Sequence, residues 1–419
     1  MKYKKIKGTN DLFGEDVWYW RFVENTFREV CESFGMEEIR TPIFEQTELF
    51  IRSVGEESDI VQKEMYTFQD KAGRSITLRP EGTAPVVRAF LENSLVNRGF
   101  QQRYYYIGQM FRYEKPQSGR LRQFHQVGFE IIGSESPKAD FEMILAVDIF
   151  LKRLGLRKYS IHLNSIGCPE CRKQYREVLK EYYKQYLDEL CEDCKRRYER
   201  NVLRLLDCKE DQKFALNAPK SVDYLCDNCK KHYEKLKEYL NTFEIEYVED
   251  HTLVRGLDYY TRTVFEVRHE GLGAQNSIAG GGRYDGLFSE LGGSSIPALG
   301  FAAGIERLVL ALKSEGIEVP VENVHYLYVA TIGERAFKEG VSLAIDLRKK
   351  GFRVDMDIME RKLSGQLKHA NRMGARYVII IGDEELEKGI VILRDLETGD
   401  QVEVDRQFAV EYISERVLE

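Results

Sequence analysis

The sequence lacks long apolar runs: no stretch of about 18 consecutive apolar residues, the length that a transmembrane helix needs, occurs among its 419 residues. The start, residues 1–6, is not followed by the apolar segment of a secretory signal peptide. Charged residues make up 31% of the chain, a share compatible with a soluble globular enzyme. The sequence therefore predicts a cytoplasmic protein without a membrane partner.

A net positive charge is also missing. The formal net charge is -7 at pH 7, whereas a protein held on RNA by charge alone is normally basic. Any RNA contact must therefore be local, and residues 195–204 and 361–376 are the two basic stretches that could provide one. A solvent-exposed helix face is an equally good interpretation of each stretch.

The common phosphate-binding loops are missing as well. The glycine-rich stretch 279–286 reads AGGGRYDG, which has neither GxGxxG nor GK[ST] spacing. A nucleotide site is indicated instead by Arg112 within FRYE and Arg307 within GFAAGIER. Guanidinium groups are always charged and their planar fork matches phosphate oxygens. Internal salt bridges to the neighbouring Glu114 and Glu306 are the alternative interpretation.

Two strands are predicted around Arg112. Residues 103–114 and 126–131 alternate with the period of two that is typical of strands. In the second strand Gln126, Gly128 and Glu130 share one face, and the apolar residues between them would pack inward. A polar face with a glycine at its centre leaves room for a ligand above the sheet.

The length exceeds that of one ordinary core and favours two or three domains. Changes in composition divide the chain into residues 1–164, 165–243, 244–320 and 324–419. The second segment is charged, rich in Tyr and Lys, and predicted to be a helical insertion. The last segment alternates strands and helices at the spacing of a small βαβ domain.

Five motifs in a fixed order resemble one family, the class II histidyl-tRNA synthetases. They are KGTND at 7–11, FRYE at 111–114, RGLDYY at 255–260, AGGGRYDG at 279–286 and GFAAGIER at 300–307. The resemblance implies the α+β class, with an antiparallel sheet core flanked by helices, a helical insertion and a C-terminal anticodon-binding domain of α/β (βαβ) type.

The same resemblance assigns a part of the protein to each segment. Residues 1–164 would be the first part of the catalytic core, with motifs 1 and 2, and 244–320 the second part, with the histidine signatures and motif 3. Residues 165–243 would be the insertion and 324–419 the anticodon-binding domain. Motif 1, the extended segment 38–45, would form a homodimer interface.

The resemblance also implies how ATP is held. Arg112 would contact the α-phosphate, Arg307 would lie near the γ-phosphate, and Arg255 would lie near the reacting carboxylate; these three are the implied catalytic residues. The implied ATP-binding residues are Arg112, Glu114, Arg120 and Arg307. Phosphoryl chemistry of this kind needs positive side chains and Mg²⁺ to neutralise phosphate charge.

Recognition of L-histidine requires acceptors for an ammonium group and partners for an imidazole ring. By resemblance, Glu81, Thr83 and Gln126 would hold the α-amino end, while Glu130 and Tyr260 would read the ring. The full implied substrate-binding set is Glu81, Gly82, Thr83, Gln126, Glu130, Arg255, Tyr259, Tyr260 and Tyr284. A core position for the paired tyrosines, and a plain turn for the stretch around Tyr284, are the alternatives.

Eight cysteines are present, seven of them between residues 168 and 229, and three CxxC pairs favour metal over disulfides in a cytoplasmic chain. If residues 158–164 and 244–250 pair antiparallel, Cys168 and Cys171 lie roughly 25 Å from the distal pairs. The sequence then predicts a structural Zn²⁺ held by Cys191, Cys194, Cys226 and Cys229, with Cys208 as a substitute. Disulfides and free thiols remain alternatives.

The predicted function is ATP-dependent activation of L-histidine to histidyl-adenylate and its transfer to tRNA(His), with release of AMP and diphosphate. A histidine-sensing regulatory subunit of ATP phosphoribosyltransferase is the main alternative. Such relatives typically lack the C-terminal domain and have degraded motifs, whereas this sequence has RGLDYY and the 324–419 segment. A synthetase for another amino acid would share the two arginines but not RGLDYY together with AGGGRYDG.

Overall fold

The computed structural model describes residues 3–56, 58–99, 101–320 and 326–418. The chain divides into two compact units, Met1–Pro320 and Val321–Glu419. Residues 324, 325 and 419 of the predicted C-terminal segment lie outside the described residues. In the described part of the chain no helix combines the length and the apolar character needed to cross a membrane.

The strands are, in chain order, β1 (Glu37–Glu38), β2 (Phe44–Gln46), β3 (Tyr66–Gln69), β4 (Ser75–Leu78), β5 (Gln102–Phe111), β6 (Gln123–Ile132), β7 (Tyr159–Ser165), β8 (Val248–Glu249), β9 (Thr261–His269), β10 (Ser277–Arg283), β11 (Ala298–Gly304), β12 (Tyr326–Thr331), β13 (Arg353–Met356), β14 (Tyr377–Ile381), β15 (Ile390–Asp395) and β16 (Gln401–Asp405).

The α-helices are α1 (Glu15–Ser33), α2 (Thr47–Val54), α3 (Thr83–Glu92), α4 (Pro137–Arg153), α5 (Pro169–Lys184), α6 (Glu192–Arg200), α7 (Gln212–Ala215), α8 (Asp227–Thr242), α9 (Leu287–Glu290), α10 (Ile305–Ser314), α11 (Glu334–Lys349), α12 (Leu363–Arg372), α13 (Asp383–Lys388) and α14 (Ala409–Leu418).

An eight-stranded sheet in the order β1-β5-β6-β11-β10-β9-β7-β8 forms the centre of the first unit. Its six inner strands pair antiparallel, and only the short edge strands β1 and β8 pair parallel with their neighbours. A separate three-stranded antiparallel sheet has the order β2-β4-β3. The α+β class with an antiparallel core flanked by helices is therefore confirmed.

The apolar face of the large sheet explains why its other face can be polar. Val127, Phe129 and Ile131 of β6 are buried in one core with Val23 and Phe27 of α1. Helices α4, α8 and α10 contribute to the same core. Since side chains alternate along a strand, the residues between these apolar ones point to the opposite face, as the sequence predicted.

The topology corrects the predicted cysteine arrangement. Strand β8 pairs parallel with β7, with His162 opposite Val248, not antiparallel as expected. Helices α5 and α8 consequently begin side by side, and the Cys226 N–H donates to Cys171 Sγ at 3.1 Å. Cys226 and Cys229 thus lie next to the first CxxC pair, and the predicted set that joined them to Cys191 and Cys194 is not formed.

The second unit has a five-stranded sheet in the order β13-β12-β14-β15-β16. Strands β12, β13 and β14 are parallel and are linked by α11 and α12, which confirms the predicted βαβ pattern. Two further strands, β15 and β16, lie outside that pattern and extend the sheet antiparallel. Two hydrophobic cores pack against this sheet. Helices α11 and α14 contribute to one core and α12 contributes to the other.

A buried ion pair joins β10 to α4. The Arg283 and Asp140 side chains are both fully buried, and the guanidinium bonds both carboxylate oxygens. Arg283 also donates to the carbonyls of Ser134 at 2.7 Å and Ser136 at 3.2 Å. His232 Nε2 of α8 lies 3.2 Å from Asp140 Oδ2. The Asp140 carboxylate of α4 thus contacts both Arg283 of β10 and His232 of α8.

Replacing Arg283→Met is expected to lower the free energy of unfolding by about 3–5 kcal/mol, because it leaves the Asp140 carboxylate buried beside no guanidinium. Urea unfolding followed by circular dichroism measures this. The matched control is Arg74→Met, since the Arg74–Asp70 pair is exposed to solvent and its loss should change stability little. Equal losses in the two variants would contradict this role of the buried pair.

Candidate active site

A cavity of about 190 Å³ opens above the polar face of the large sheet. The side chains of Arg112, Arg120, Arg255 and Arg307 all line it. They come from the end of β5, the β5–β6 loop, the segment after β8 and the start of α10. The structure thus brings together the arginines that the sequence analysis placed in one nucleotide site.

Arg112 lines the cavity and is oriented by a backbone carbonyl and an aromatic ring. Its Nε donates to the Pro80 carbonyl at 2.9 Å, and its guanidinium lies over the Phe124 ring, 5.3 Å from the centroid. Its Nη1 is 4.0 Å from Glu114 Oε1, at the limit of an ion pair. Glu114 instead pairs closely with Arg120. The negative charge of Glu114 is therefore shared between Arg112 and Arg120.

Arg307 does not pair with its neighbour in sequence. Its Nε donates to the Gly119 carbonyl at 2.9 Å and its Nη1 to the Ser277 carbonyl at 2.5 Å. Glu306 instead faces His125, with 2.9 Å between its Oε1 and Nδ1. Among the described residues Arg307 has no carboxylate within ion-pair distance, so the salt bridge to Glu306 considered from the sequence does not occur.

Arg255 is held by a carboxylate that the sequence analysis did not select. Its Nη1 lies 2.8 Å from Glu266 Oε1, and Ser277 Oγ donates to the same oxygen at 2.8 Å. The guanidinium lies over Gly280, where a Cβ atom would be 2.5 Å from Nη2, so only glycine allows this approach. The sequence signal for Glu266 was an acidic residue inside the apolar run of β9.

The positive charges of this cavity act on one another. Burial, followed by the charges of Arg120, Arg112 and Arg255, lowers the pKa of Arg307. Burial also lowers the pKa of Arg112, and Arg255 adds to that effect. Converging cations in a partly enclosed site raise the free energy of the ligand-free protein, and an anion relieves that repulsion. The cavity is therefore suited to a polyanion such as a triphosphate.

A buried group of carboxylates and hydroxyls lies beyond the arginines. Glu81 accepts the N–H groups of Thr83 at 2.7 Å and Ala84 at 2.8 Å, which orients its carboxylate at the start of α3. Thr83 Oγ1 donates to Glu130 Oε1 at 2.8 Å, and the Tyr284 hydroxyl donates to Glu130 Oε2 at 2.6 Å. The predicted residues 81, 83, 130 and 284 are thus in direct contact.

Three tyrosines enclose this group. The rings of Tyr259 and Tyr260 are 4.7 Å apart, and those of Tyr259 and Tyr284 are 5.7 Å apart. Both residues of the pair are buried, so their core and ligand interpretations are compatible. Tyr106 of β5, which the sequence analysis did not select, lies over Gly128 and Gly82, where any Cβ would collide with its ring. Its signal was its place on the same strand face as Gly108.

Gln126 and the glycines of β6 and β11 complete the polar face of the sheet. Gln126 lines the arginine cavity, and its Oε1 is buried without a hydrogen-bond partner among the described residues. Strands β6 and β11 pair beside this site. Gly300 of β11 lies opposite Glu130 of β6, and Ala302 of β11 lies opposite Gly128 of β6. These small β11 residues therefore leave space above the sheet for the site.

Burial raises the pKa of Glu130 from 4.5 to about 8. A raised carboxyl pKa means that the folded protein holds a proton that the unfolded chain has released, so the contribution to stability is present below about pH 4.5 and is lost as the pH rises to about 8. The ligand-free protein therefore carries a mainly protonated Glu130 at neutral pH.

Glu130→Gln is expected to become more stable relative to wild type as the pH rises from about 5 to about 8, because glutamine cannot ionise. Thermal unfolding midpoints of both proteins across this range test the effect. Val127→Ala, on the opposite face of β6, serves as a control whose stability offset should not depend on pH. A wild-type–variant difference that stays constant over the range would reject the assignment.

Comparisons with known proteins identify the family of this chain. The chain matches the family model described as Histidyl-tRNA synthetase over residues 8–308 and that described as Anticodon binding domain over residues 326–416. The Histidine--tRNA ligase of Thermotoga sp. (strain RQ2) is 82% identical over 417 residues, covering 100% of this chain and 99% of the relative. The protein of the same name from Fervidobacterium nodosum is 57% identical over 418 residues, covering 100% and 99%.

A solved structure supports the same conclusion. The apo histidyl-tRNA synthetase of S. aureus is 40% identical, has a TM-score of 0.83, and the match covers 98% of this chain and 99% of that one. Sequence, fold and full-length coverage agree, and the chain belongs to the histidyl-tRNA synthetase family.

Proposed function

We propose that this protein activates L-histidine with ATP to form histidyl-adenylate and then transfers the histidyl group to the terminal ribose of tRNA(His). The observation that carries this proposal is the convergence of Arg112, Arg255 and Arg307 on one cavity. The buried carboxylate–tyrosine group beside it and the membership of the family support the same function.

In the first step a carboxylate oxygen of histidine attacks the α-phosphorus of ATP, and the bond to diphosphate breaks. Negative charge grows on the oxygens around that phosphorus and on the leaving group. Arg112 and Arg255 are placed to stabilise the reacting phosphate and carboxylate, and Arg307 to stabilise the outer phosphates. Such fixed charges need little reorganisation during the reaction, which is why they accelerate it.

The amino acid would occupy the group around Glu81 and Glu130. Glu81 and Thr83 offer acceptors to its ammonium group, and Glu130 with Tyr260 offers partners to its imidazole. Gln126 Oε1 is buried without a partner among the described residues and is suited to the ammonium group of the ligand. A side chain lacking ring nitrogens would leave the ring partners Glu130 and Tyr260 unpaired and would be rejected.

Mg²⁺ would accompany ATP into this site, as it does in the family. Glu114 presents the oxygen ligands that Mg²⁺ prefers and lines the arginine cavity, so the residues fit the ion. When bound, Mg²⁺ supplies further neutralisation of the phosphates.

Transfer requires tRNA, and two features support contact with it. Residues 326–416 match an anticodon-binding domain. In the first unit, a separate cavity of about 440 Å³ is lined by Arg196, Arg197, Arg200, Arg204 and Lys63. Asp59 and Asp193 line it too and pair with three of these arginines, but positive side chains outnumber carboxylates there. Local positive charge of this kind suits the phosphate backbone even though the whole chain is acidic. The reaction would take place in the cytoplasm, where the tRNA substrate is found.

A homodimer is the assembly that the surface supports. The small β2-β4-β3 sheet exposes Phe44 and Phe68, which are 53% and 48% accessible, and Ile43 is 42% accessible beside them. Phe44 pairs with Leu78 and Phe68 with Ile76, so the four side chains share one sheet face. An exposed apolar face of this kind is typical of an interface.

The histidine-sensing regulatory subunit is not favoured. The RGLDYY segment is intact, its arginine lies in the cavity, and the second unit is present. Close full-length relatives carry the ligase name.

ATP–diphosphate exchange with each of the twenty amino acids tests the proposal, and histidine alone is expected to support exchange. Arg255→Ala should lower the histidine-dependent rate by about 10²-fold or more, because a charge next to the reacting phosphate is lost. Exchange by the variant at the wild-type rate would reject the role of Arg255.

Arg103→Ala is the matched control for this experiment. Its side chain is 27% accessible, close to the 22% of Arg255, and it also pairs with a glutamate, but it does not line the cavity. It should retain exchange. Failure of the wild-type protein to charge tRNA(His), despite folding, would instead favour the regulatory alternative.

The double variant Phe44→Glu/Phe68→Glu is expected to be monomeric, because two buried charges would oppose an apolar interface. Sedimentation velocity measures the mass of the variant and wild type. Phe243→Glu is the control, since Phe243 is 61% accessible but lies outside this sheet. A wild-type monomer, or a double variant that stays dimeric, would contradict the assigned interface.

A further inference from the structure

Four cysteines from two distant CxxC pairs meet at one point. The Sγ atoms of Cys168, Cys171, Cys226 and Cys229 all lie within 4.8 Å of one another. All four are free thiols, and Cys171 and Cys229 are buried. Neither the proposed reaction nor the active-site geometry uses them.

Helix starts bring these sulfurs together. Cys168 is the N-cap of α5 and Cys226 is the N-cap of α8, so each CxxC pair lies on the first turn of a helix. One turn places both sulfurs of a pair on the same side. The Cys226 N–H donates to Cys171 Sγ at 3.1 Å, and the Cys168 and Cys171 sulfurs are 3.5 Å apart. N–H donors directed at sulfur, together with the positive end of a helix, stabilise thiolates.

The spacing matches a tetrahedral metal. Zn²⁺ bound by four thiolates has Zn–S distances of about 2.3 Å, which places the sulfurs about 3.8 Å apart. The observed sulfurs are compatible with this geometry, since all four lie within 4.8 Å of one another and those of Cys168 and Cys171 are 3.5 Å apart. Two CxxC pairs supplied by separate segments are also the ligand pattern of a closed structural zinc site, with no position left for a substrate.

We propose that Cys168, Cys171, Cys226 and Cys229 hold one structural Zn²⁺ ion. The ion joins the first turns of α5 and α8, the two long helices of the segment inserted between β7 and β9. One residue beyond the first pair, Arg172 donates to the Tyr260 carbonyl at 2.8 Å. The metal group is therefore anchored to the RGLDYY segment without touching the active-site cavity.

A second group, built independently, has the same character. Cys191, Cys194, Cys208 and Asp211 present one ligand atom each, again all within 4.8 Å. The Cys191 and Cys208 sulfurs are 3.8 Å apart, and Asp211 Oδ2 accepts the Cys191 N–H at 3.0 Å. Asp211 is only 5% accessible. A carboxylate buried among three thiols is stabilised by a cation, and the set holds a second Zn²⁺ as Cys₃Asp.

Metal analysis of the full-length protein, purified without added chelator, tests both sites. Two equivalents of zinc per chain are expected by inductively coupled plasma mass spectrometry. Cys226→Ser should lose the first equivalent and Cys208→Ser the second. Cys31→Ser is the matched control, because Cys31 is a buried thiol in α1, remote from both groups in sequence and absent from either set, and it should keep two equivalents.

A measurement on the wild-type protein keeps the proposal testable if a variant fails to fold. Protein produced with Co²⁺ in place of zinc should show thiolate-to-cobalt charge transfer and tetrahedral ligand-field bands, with intensity that corresponds to two ions. A mercurial reagent should release both ions as it consumes the seven clustered thiols.

The overturning results are equally specific. Fewer than one equivalent of metal, with the seven thiols reactive in the native protein, would reject both sites. Disulfides within the CxxC pairs of the purified protein would do the same in favour of a redox role. One equivalent that is lost in Cys226→Ser and kept in Cys208→Ser would reject the second site alone.

Discussion

Repulsion among guanidinium groups is the constraint around which the first unit is organised. Four arginines line one cavity, and Glu114 and Glu266 neutralise only part of their charge. The ligand-free protein can hold them together because each is fixed by neighbouring acceptors, among them the backbone carbonyls of Pro80, Gly119 and Ser277. Carbonyl dipoles orient an arginine without cancelling its charge, and the cavity keeps its positive side chains.

The large sheet makes this arrangement possible because one of its faces is apolar and the other is polar. On one face, aromatic and aliphatic side chains pack against α1, α4 and α10 and fix the strands in register. On the other, glycine and alanine on β10 and β11 leave space that Arg255 and Glu130 occupy. The depth of the site therefore depends on missing side chains as much as on charged ones. Burial at its end has a cost that is visible in the raised pKa of Glu130.

The cysteines of the insertion show how one wrongly predicted strand direction changes a predicted metal site. Sequence reasoning found that three CxxC pairs indicate metal, but it assumed that β7 and β8 pair antiparallel. The parallel pairing turns α8 around relative to that assumption, so its first turn lies at the start of α5. Cys208 and Asp211 then complete the other group, a combination that CxxC spacing alone does not reveal because Asp211 is not a cysteine.

The sequence by itself determined the local elements and the chemistry. These are the alternating β6, the βαβ pattern of the second unit, and the ordered motifs that contain Arg112, Arg255 and Arg307. Periodicity and motif order are local properties, and they can be read along the chain. Only the tertiary structure decided which residues meet. These contacts are Glu266 beside Arg255, Tyr106 over Gly128, Glu306 beside His125 instead of Arg307, and the two cysteine clusters. Their separation in the chain ranges from 11 residues for Arg255 and Glu266 to 181 for His125 and Glu306. Strand register and direction set those contacts, and a single chain read from end to end does not encode them in any local pattern.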